Sequence, residues 1–443
     1  TTEIYTLSLH DALPIFPALI ATSQQDAARA ARSAVEAIAE AERAAIARDY
    51  PRWIEARGGI RPDLATLRAG LAQDEALLAV MPAFDGVYLL AVDADGATVE
   101  RTGLGRAAMV ALVDRLRGTM TPGGFDRTAA HDLYAQIFTP TILARLGKAK
   151  ALRIVPTGAF ASLPFAMLPQ RPVVTIDRDT PWLIRRFAIE VQPGFATGPA
   201  APQRIAMRNQ SFLGVGAPAP FAAGARPAAP ALLAANHYFR GGTADAAALS
   251  ELPSLPGSLA ELRAVADRFG TDRATLLVGA QASEAALRAQ DLAPYSVILF
   301  ATHGLVSGQM EGVTEPALVL SPPSPGTGDD GLLTASEVAA MRIGADWVIL
   351  SACSTAAGDS AQAPAYSGLA QAFRYAGAGS LLVSHWPVRD DASAFVTLET
   401  VKAANRGTPR AVALQKAMRK LMRSGRADAA QPYIWAPFIL IGR

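Results

Sequence analysis

The sequence predicts an α/β protein in which a mostly parallel sheet is flanked by helices, with an N-terminal α/β lobe preceded by a long helix. Three observations carry that expectation. In the second half, short apolar runs alternate with helical stretches, the pattern of strands joined by crossover helices. Two of those runs, Ser296–Thr302 and Trp347–Ala352, are continuous rather than alternating, as expected of strands covered on both faces. Two S/T-x-x-E signatures, Ser258 with Glu261 and Thr334 with Glu337, mark helix starts of the capping-box kind. A chain of 443 residues is too long for one ordinary core and suggests two or three units of about 100–200 residues each.

Taken in order, Thr1–Ile15, TTEIYTLSLHDALPI, matches the translation of a short-read sequencing adapter. It is set aside as an artefact, so the native start is expected to be missing. Residues 16–60 are read as a helical linker. Gln25–Tyr50 is rich in Ala, Glu and Arg, which lose little rotamer freedom in a helix, and Pro51 stops it. Its apolar stripe of Val35, Ile38 and Ile46 is thin, so this helix is expected to lean on an upstream region. Residues 61–200 form the N-terminal lobe. There an amphipathic stretch, Leu64–Leu78, precedes an alternating strand, Val87–Val92. The turn Asp93-Ala94-Asp95-Gly96 returns the chain as a hairpin, glycine tolerating the positive φ such turns need. Helical patterns at Arg106–Arg117 and His131–Leu146 and strands at Ala151–Val155 and Phe187–Val191 complete the lobe.

Residues 201–256 read as a connection crowded with Pro, Ala and Gly. Residues 257–443 form the second lobe. Its helices are expected from Ser258 to Phe269, at Ser283–Ala289, after Thr334, at Gly368–Ala376 and over Leu398–Met422. Its strands are expected at Ser296–Thr302, Trp347–Ala352, Ser380–Trp386 and Trp435–Ile441.

Bulk composition excludes several classes of function. The chain is 51% hydrophobic, yet no run of about 18 apolar residues could span a bilayer. A formal net charge of +2 from 41 basic and 39 acidic residues leaves no broad field for nucleic acid or anionic lipid. Neither nucleic acid nor membrane is expected as a partner. Cys353 is the single cysteine, which rules out an intrachain disulfide and a thiolate-rich zinc site. A reducing cytoplasm fits this usage best. His131 and His237 have no metal-ligand spacing around them, and no cofactor or metal is expected. The chain also lacks a G-x-S-x-G elbow, an H-E-x-x-H pair and a complete P-loop.

The chemistry converges on two strand ends. Cys353 follows the apolar run Ile349-Leu350-Ser351-Ala352, and His303 follows Leu299-Phe300-Ala301-Thr302. In open α/β sheets ligands bind beyond the carboxyl ends of the strands, so two such side chains on neighbouring strands can share one site. A thiol becomes a good nucleophile once ionised, and an imidazole can take its proton and later return it to a leaving amine. Gly304 lets a backbone N–H approach a tetrahedral oxyanion with no side chain in the way, and the Cys353 N–H could be a second donor. Against this, a lone Cys in an apolar strand is more often a small buried hydrophobe. His385 is better read as structural, beside Trp386. Asp390 and Asp391 read as caps of a helix start. Asp329, Asp330 and Asp359 lie in loops flanking the two strands and are candidates to line a pocket for a basic P1 side chain, though each also reads as a solvated turn residue.

The segments ATHG (301–304), LSACST (350–355), GLAQAFRYAGAGSLLVSHWPVRDD (368–391) and PYIWAPFILIG (432–442) resemble the blocks of CHAT domains. Weaker likenesses lie at IVPTGAFASLPFAML (154–168), FRGGTADAAAL (239–249) and LPSLPGSLAEL (252–262), and the resemblance runs from about Leu64 to the C-terminus. CHAT domains are relatives of caspases and separase. The resemblance therefore implies a caspase-like fold, a cysteine peptidase acting through a thioester, His303 and Cys353 as the catalytic dyad, and Gly304 as oxyanion donor. A histidine about 50 residues before an Ala-Cys pair is also the caspase order. Ser354 and Ala356 depart from an acidic residue and a glycine found in many relatives, so substrate preference does not transfer. The resemblance further implies a protein substrate and an upstream helical-repeat sensor, with roles in bacterial defence or regulated proteolysis. A silent dyad in an interaction module and a zymogen awaiting a partner remain the alternatives.

Overall fold

Short, mostly apolar runs become the strands of one large sheet. The computed structural model describes residues 22–49, 63–195, 211–221, 249–250, 252, 255–305, 315–323, 329–351, 368–386, 388–426 and 428–442. The strands are β1 (Glu75–Pro82), β2 (Val87–Val92), β3 (Ala97–Arg101), β4 (Ala151–Pro156), β5 (Ala188–Val191), β6 (Phe212–Pro218), β7 (Ala274–Gly279), β8 (Val297–Ala301), β9 (Gly304–Leu305), β10 (Ala317–Val319), β11 (Leu332–Thr334), β12 (Trp347–Leu350), β13 (Leu381–Ser384) and β14 (Phe438–Ile441). Eleven of them form a sheet in the order β3-β2-β1-β4-β5-β14-β13-β12-β8-β6-β7, and β11-β10-β9 form a small second one.

The large sheet is two parallel blocks set head to tail. β1, β4, β5 and β14 run one way. β13, β12, β8, β6 and β7 run the other, and the antiparallel pair β13/β14 joins the blocks. The expected α/β class, mostly parallel with helical cover, is what the chain adopts. The second block has the order β7-β6-β8-β12-β13. From β6 the chain steps outward to β7, then crosses back to β8 on the other side. The crevice outside the carboxyl ends of β6 and β8 is therefore the topological switch point, where open α/β sheets bind ligands.

Several elements differ from the sequence reading. The amphipathic stretch 64–78 is helical only over Leu64–Ala69, and Glu75 already begins β1. There the run EALLAVMP buries six consecutive residues, so two-sided burial overrode a helical period. The stretch 201–256, expected as a connection, contains β6, a central strand of the second block. The helix expected over 398–422 is two, Asp390–Ala404 and Arg410–Met422, separated where Gly407 takes φ +82° and Pro409 cannot continue the ladder. The hairpin after β2 is present, but Gly96 is not among the positive-φ residues. The Asp93 carboxylate organises that turn by accepting the N–H of Asp95 at 2.9 Å and of Gly96 at 2.8 Å. The helix Thr22–Asp49 forms as expected, with Val35, Ile38 and Ile46 exposed.

The two lobes share one core. Trp182 of the first packs on Trp435 of the second at 5.6 Å between ring centroids, and both are fully buried. Such rings each contribute about 2–3 kcal/mol by leaving water, which ties the lobes together.

At the carboxyl end of β6 the register with β7 shifts between Gly216 and Pro218. Ala217, at that shift, holds φ +45°, a left-handed conformation that costs a residue with a Cβ about 1 kcal/mol. Ala217→Gly is expected to raise the urea midpoint by an amount equal to about 0.5 kcal/mol, strain relief outweighing the added chain entropy. A fall in the midpoint would show that this bend is unstrained.

Candidate active site

The carboxyl ends of β6, β8, β12 and β13 lie along one rim of the sheet. β8 and β12 pair in parallel with Phe300 opposite Leu350, and the Ser351 N–H donates to the Phe300 carbonyl at 2.8 Å, one residue beyond β12. His303 stands three positions after Phe300, and Cys353 three positions after Leu350. Cys353 and Asp359 lie outside the described residues, as does His237.

His303 is half-buried, and its backbone is clamped. The Val319 N–H donates to the His303 carbonyl at 2.9 Å, while the buried Thr302 hydroxyl donates to the Val319 carbonyl. One residue of β10 thus fixes the chain on both sides of the turn out of β8. The same bond sets the direction of Gly304. Gly304 pairs with Leu318, and with Val319 bonded to His303 this is a non-hydrogen-bonded pair, in which each N–H points away from the partner strand. β9 is the edge of its sheet, so the Gly304 N–H faces outward there.

The acidic loop candidates are engaged within the chain. Arg288 pairs with Asp329, with Glu284 at 3.2 Å and with Glu337 at 3.9 Å. The Glu284 carboxyl accepts the N–H of Gly331 at 2.7 Å and of Asp330 at 3.2 Å. Burial, reinforced by the charge of Glu337, pushes Glu284 up to about 7. The Asp330 carboxyl accepts the Leu332 N–H at 2.9 Å, and burial raises it too. The capping box expected at Thr334 and Glu337 is present.

His385 follows β13 on the same rim and is buried, with 4% exposure. Burial drives its pKa down to about 3, helped by the charge of Arg117. Its ring packs on Trp386 at 6.4 Å, and its Nδ1 has no partner among the described residues. So weak a base is poorly matched to taking a proton near neutral pH, which supports the structural reading. Asp390 and Asp391 sit in the first turn of their helix without capping it. Asp391 instead pairs with Arg389 at 2.9 Å and Arg426 at 3.0 Å.

The role of Glu261 and Ser351 escaped the sequence reading. Ser258 and Glu261 do not form a capping box: their helix, Pro256–Ala266, starts after Leu255 without a side-chain cap. The Glu261 carboxyl is turned instead toward the end of β12, where Ser351 Oγ is 2.8 Å away. The S-x-x-E spacing hid this role, because it is equally a local signal. Among the described residues no three His, Cys, Asp or Glu side chains cluster as a metal site, and no helix is long and apolar enough to cross a membrane.

An open sheet of this topology, with a histidine leaving the central strand at the switch point, defines an α/β protein whose candidate site lies at the carboxyl ends of its strands. The family model described as CHAT domain matches residues 127–443, and the chain belongs to that family. No curated protein matches the sequence. Among solved structures, separase from Saccharomyces cerevisiae in complex with securin is similar at 9% identity and a TM-score of 0.47, over 85% of this chain and 30% of that one. The chain thus spans under a third of that separase chain. The Arg-specific cysteine proteinase gingipain R is similar at 10% identity and a TM-score of 0.39, over 76% of this chain and 74% of that one. The complex of pro- and mature domains of RgpB from Porphyromonas gingivalis gives 9% identity and a TM-score of 0.40 over 76% and 75%.

Proposed function

We propose that the chain is a cysteine endopeptidase that cleaves a protein substrate with His303 and Cys353. The observation that carries this reading is register: Phe300 and Leu350 are paired neighbours, and each precedes one member of the dyad by three residues at the carboxyl rim. Membership of the CHAT family supports it independently. His303 takes the Cys353 proton, and the thiolate attacks the scissile carbonyl carbon. The oxyanion is held by the outward N–H of Gly304 and the N–H of Cys353. Collapse expels the amine, which receives the proton from the imidazolium and leaves a thioester. Water, deprotonated by His303, then releases the acid and regenerates the thiol. With Arg288 beside Asp329, and Asp330 turned to its own backbone, a basic P1 side chain would have to compete for these carboxylates. Asp359 is the remaining candidate for that pocket. The reading includes a reducing, cytoplasmic setting and an upstream helical-repeat sensor.

Cys353 is the only thiol in the chain, so modification reports on it alone. A peptidyl acyloxymethyl ketone is expected to label the protein once, and Cys353→Ala to abolish labelling and cleavage while the fold persists. A thiol that reacts with iodoacetamide but never with the acyl probe, with any partner present, would sink the peptidase reading and leave an interaction module.

A further inference from the structure

The helix Pro256–Ala266 packs on β6, β7 and β8 and against the helix Asp390–Ala404. Glu261, on that helix, is 6% exposed. Its Oε2 is 2.8 Å from Ser351 Oγ, which is itself 2.8 Å from Ser393 Oγ on the neighbouring helix. The strand end that leads into the 352–367 segment is thus tied by one hydroxyl to two helices. A space-filling position in such a core would carry Leu or Met, because a buried carboxyl is costly unless it is neutral or fully bonded. Glu261 Oε1 has no partner among the described residues.

We propose that Glu261 is a positioning residue that anchors the carboxyl end of β12, and with it the approach to Cys353, through Ser351. It acts as the neutral acid. Burial pushes its carboxyl up to about 7, hydrogen bonds from Ser351 and Thr397 draw it partly back, and the charge of Asp390, the ionisable group facing it from the neighbouring helix, adds to the rise. The two serine hydroxyl protons fill the two links of the row, Ser393 to Ser351 and Ser351 to Glu261 Oε2, and the neutral acid leaves no buried negative charge on the undonated Oε1. The carboxylate would need donors on both oxygens. Because the folded pKa lies above the ordinary value of 4.5, the folded state binds this proton more tightly. The linked stability is full below about 4.5 and is lost as pH rises through about 7. The strand end is held at acid pH and loosens as pH rises through about 7.

That the anchored segment is catalytic rests on the function proposed above; the anchoring does not. The test follows hydrogen–deuterium exchange of the peptide 346–353, corrected for intrinsic rates, together with iodoacetamide alkylation of Cys353, from about pH 5.5 to about pH 8.5. In the unaltered protein, protection of this peptide is expected to fall above neutrality relative to peptides of β4. Glu261→Gln, permanently neutral, should hold protection level across the range and leave alkylation with the pH dependence of the thiol's own ionisation. Glu261→Ala should lose about tenfold protection at every pH, the loss of one buried hydrogen bond. Coincident profiles for the unaltered protein and Glu261→Gln would overturn the proposal, even if Glu261→Ala fails to fold. Absence of acyl-probe labelling with the exchange pattern intact would remove the peptidase and leave the anchor; normal labelling with a flat exchange pattern would remove the anchor alone.

Discussion

His303→Ala is expected to slow acyl-probe modification of Cys353 by about 10²–10⁴-fold, the usual contribution of a positioned general base, with little change in stability. The fold should survive because neither bond that clamps this turn uses the imidazole: the Val319 N–H on the His303 carbonyl and the Thr302 hydroxyl on the Val319 carbonyl are both kept. The thiol loses its proton acceptor, so the pH midpoint of its alkylation by iodoacetamide should move back toward the ~8.5 of a free cysteine. That shift separates a lost base from a lost pocket, which would slow alkylation without moving the midpoint. His385 offers no substitute, with its imidazole buried and its pKa near 3. His385→Gln should therefore leave the midpoint in place. An unmoved midpoint and rate in His303→Ala would end the assignment of His303 as base.

The second block was more legible in sequence than the first. Val297–Ala301 and Trp347–Leu350 are buried on both faces, so each shows as an unbroken apolar run, and the residues after them announce a rim. β6 was hidden for the opposite reason: FLGVGAP carries two glycines and a proline, which read as loop, yet a Cβ at Gly214 or Gly216 would crowd its neighbours. Residues without side chains are there because the sheet is crowded. β1 was masked by an apolar run that also fits a helical period. Glu261 was seen but assigned to the nearest local partner, since its true partner lies 90 residues away and no spacing rule reaches that far. The adjacency of β8 and β12 was expected from the strand-terminal places of His303 and Cys353, whereas the Val319 clamp depends on a strand of three residues, too short to show as a pattern.

The reversal at β13/β14 explains why one rim gathers the candidate chemistry. Every strand of the second block delivers its carboxyl end to that rim, while β5 and β14 bring their amino ends to it. Side chains that leave strand ends can therefore converge there from five parallel strands, and the opposite rim of the same block receives only strand starts.

Gly216→Ala is expected to destabilise the protein by about 3 kcal/mol, at or beyond the upper end of ordinary overpacking, and to abolish acyl-probe labelling. A Cβ at this position would overlap the Ala301 carbonyl oxygen and stand 2.7 Å from its carbon. The obstacle is backbone, in the last residue of β8, so no rotamer change relieves it. Relief requires β6 and β8 to part at the switch point, which moves Thr302 and His303 off the Val319 clamp. Gly214 supplies the control two residues earlier. There a Cβ meets only side-chain atoms, Leu276 Cδ2 at 2.7 Å, Leu262 Cδ2 at 2.9 Å and Phe212 Cε1 at 3.0 Å, which can shift, so Gly214→Ala should cost about 1 kcal/mol and keep labelling. Denaturant midpoints and probe stoichiometry together read both effects. Equal stability of the two variants would mean that β6 and β8 are not in this close contact, and the crevice drawn between them would have to be redrawn.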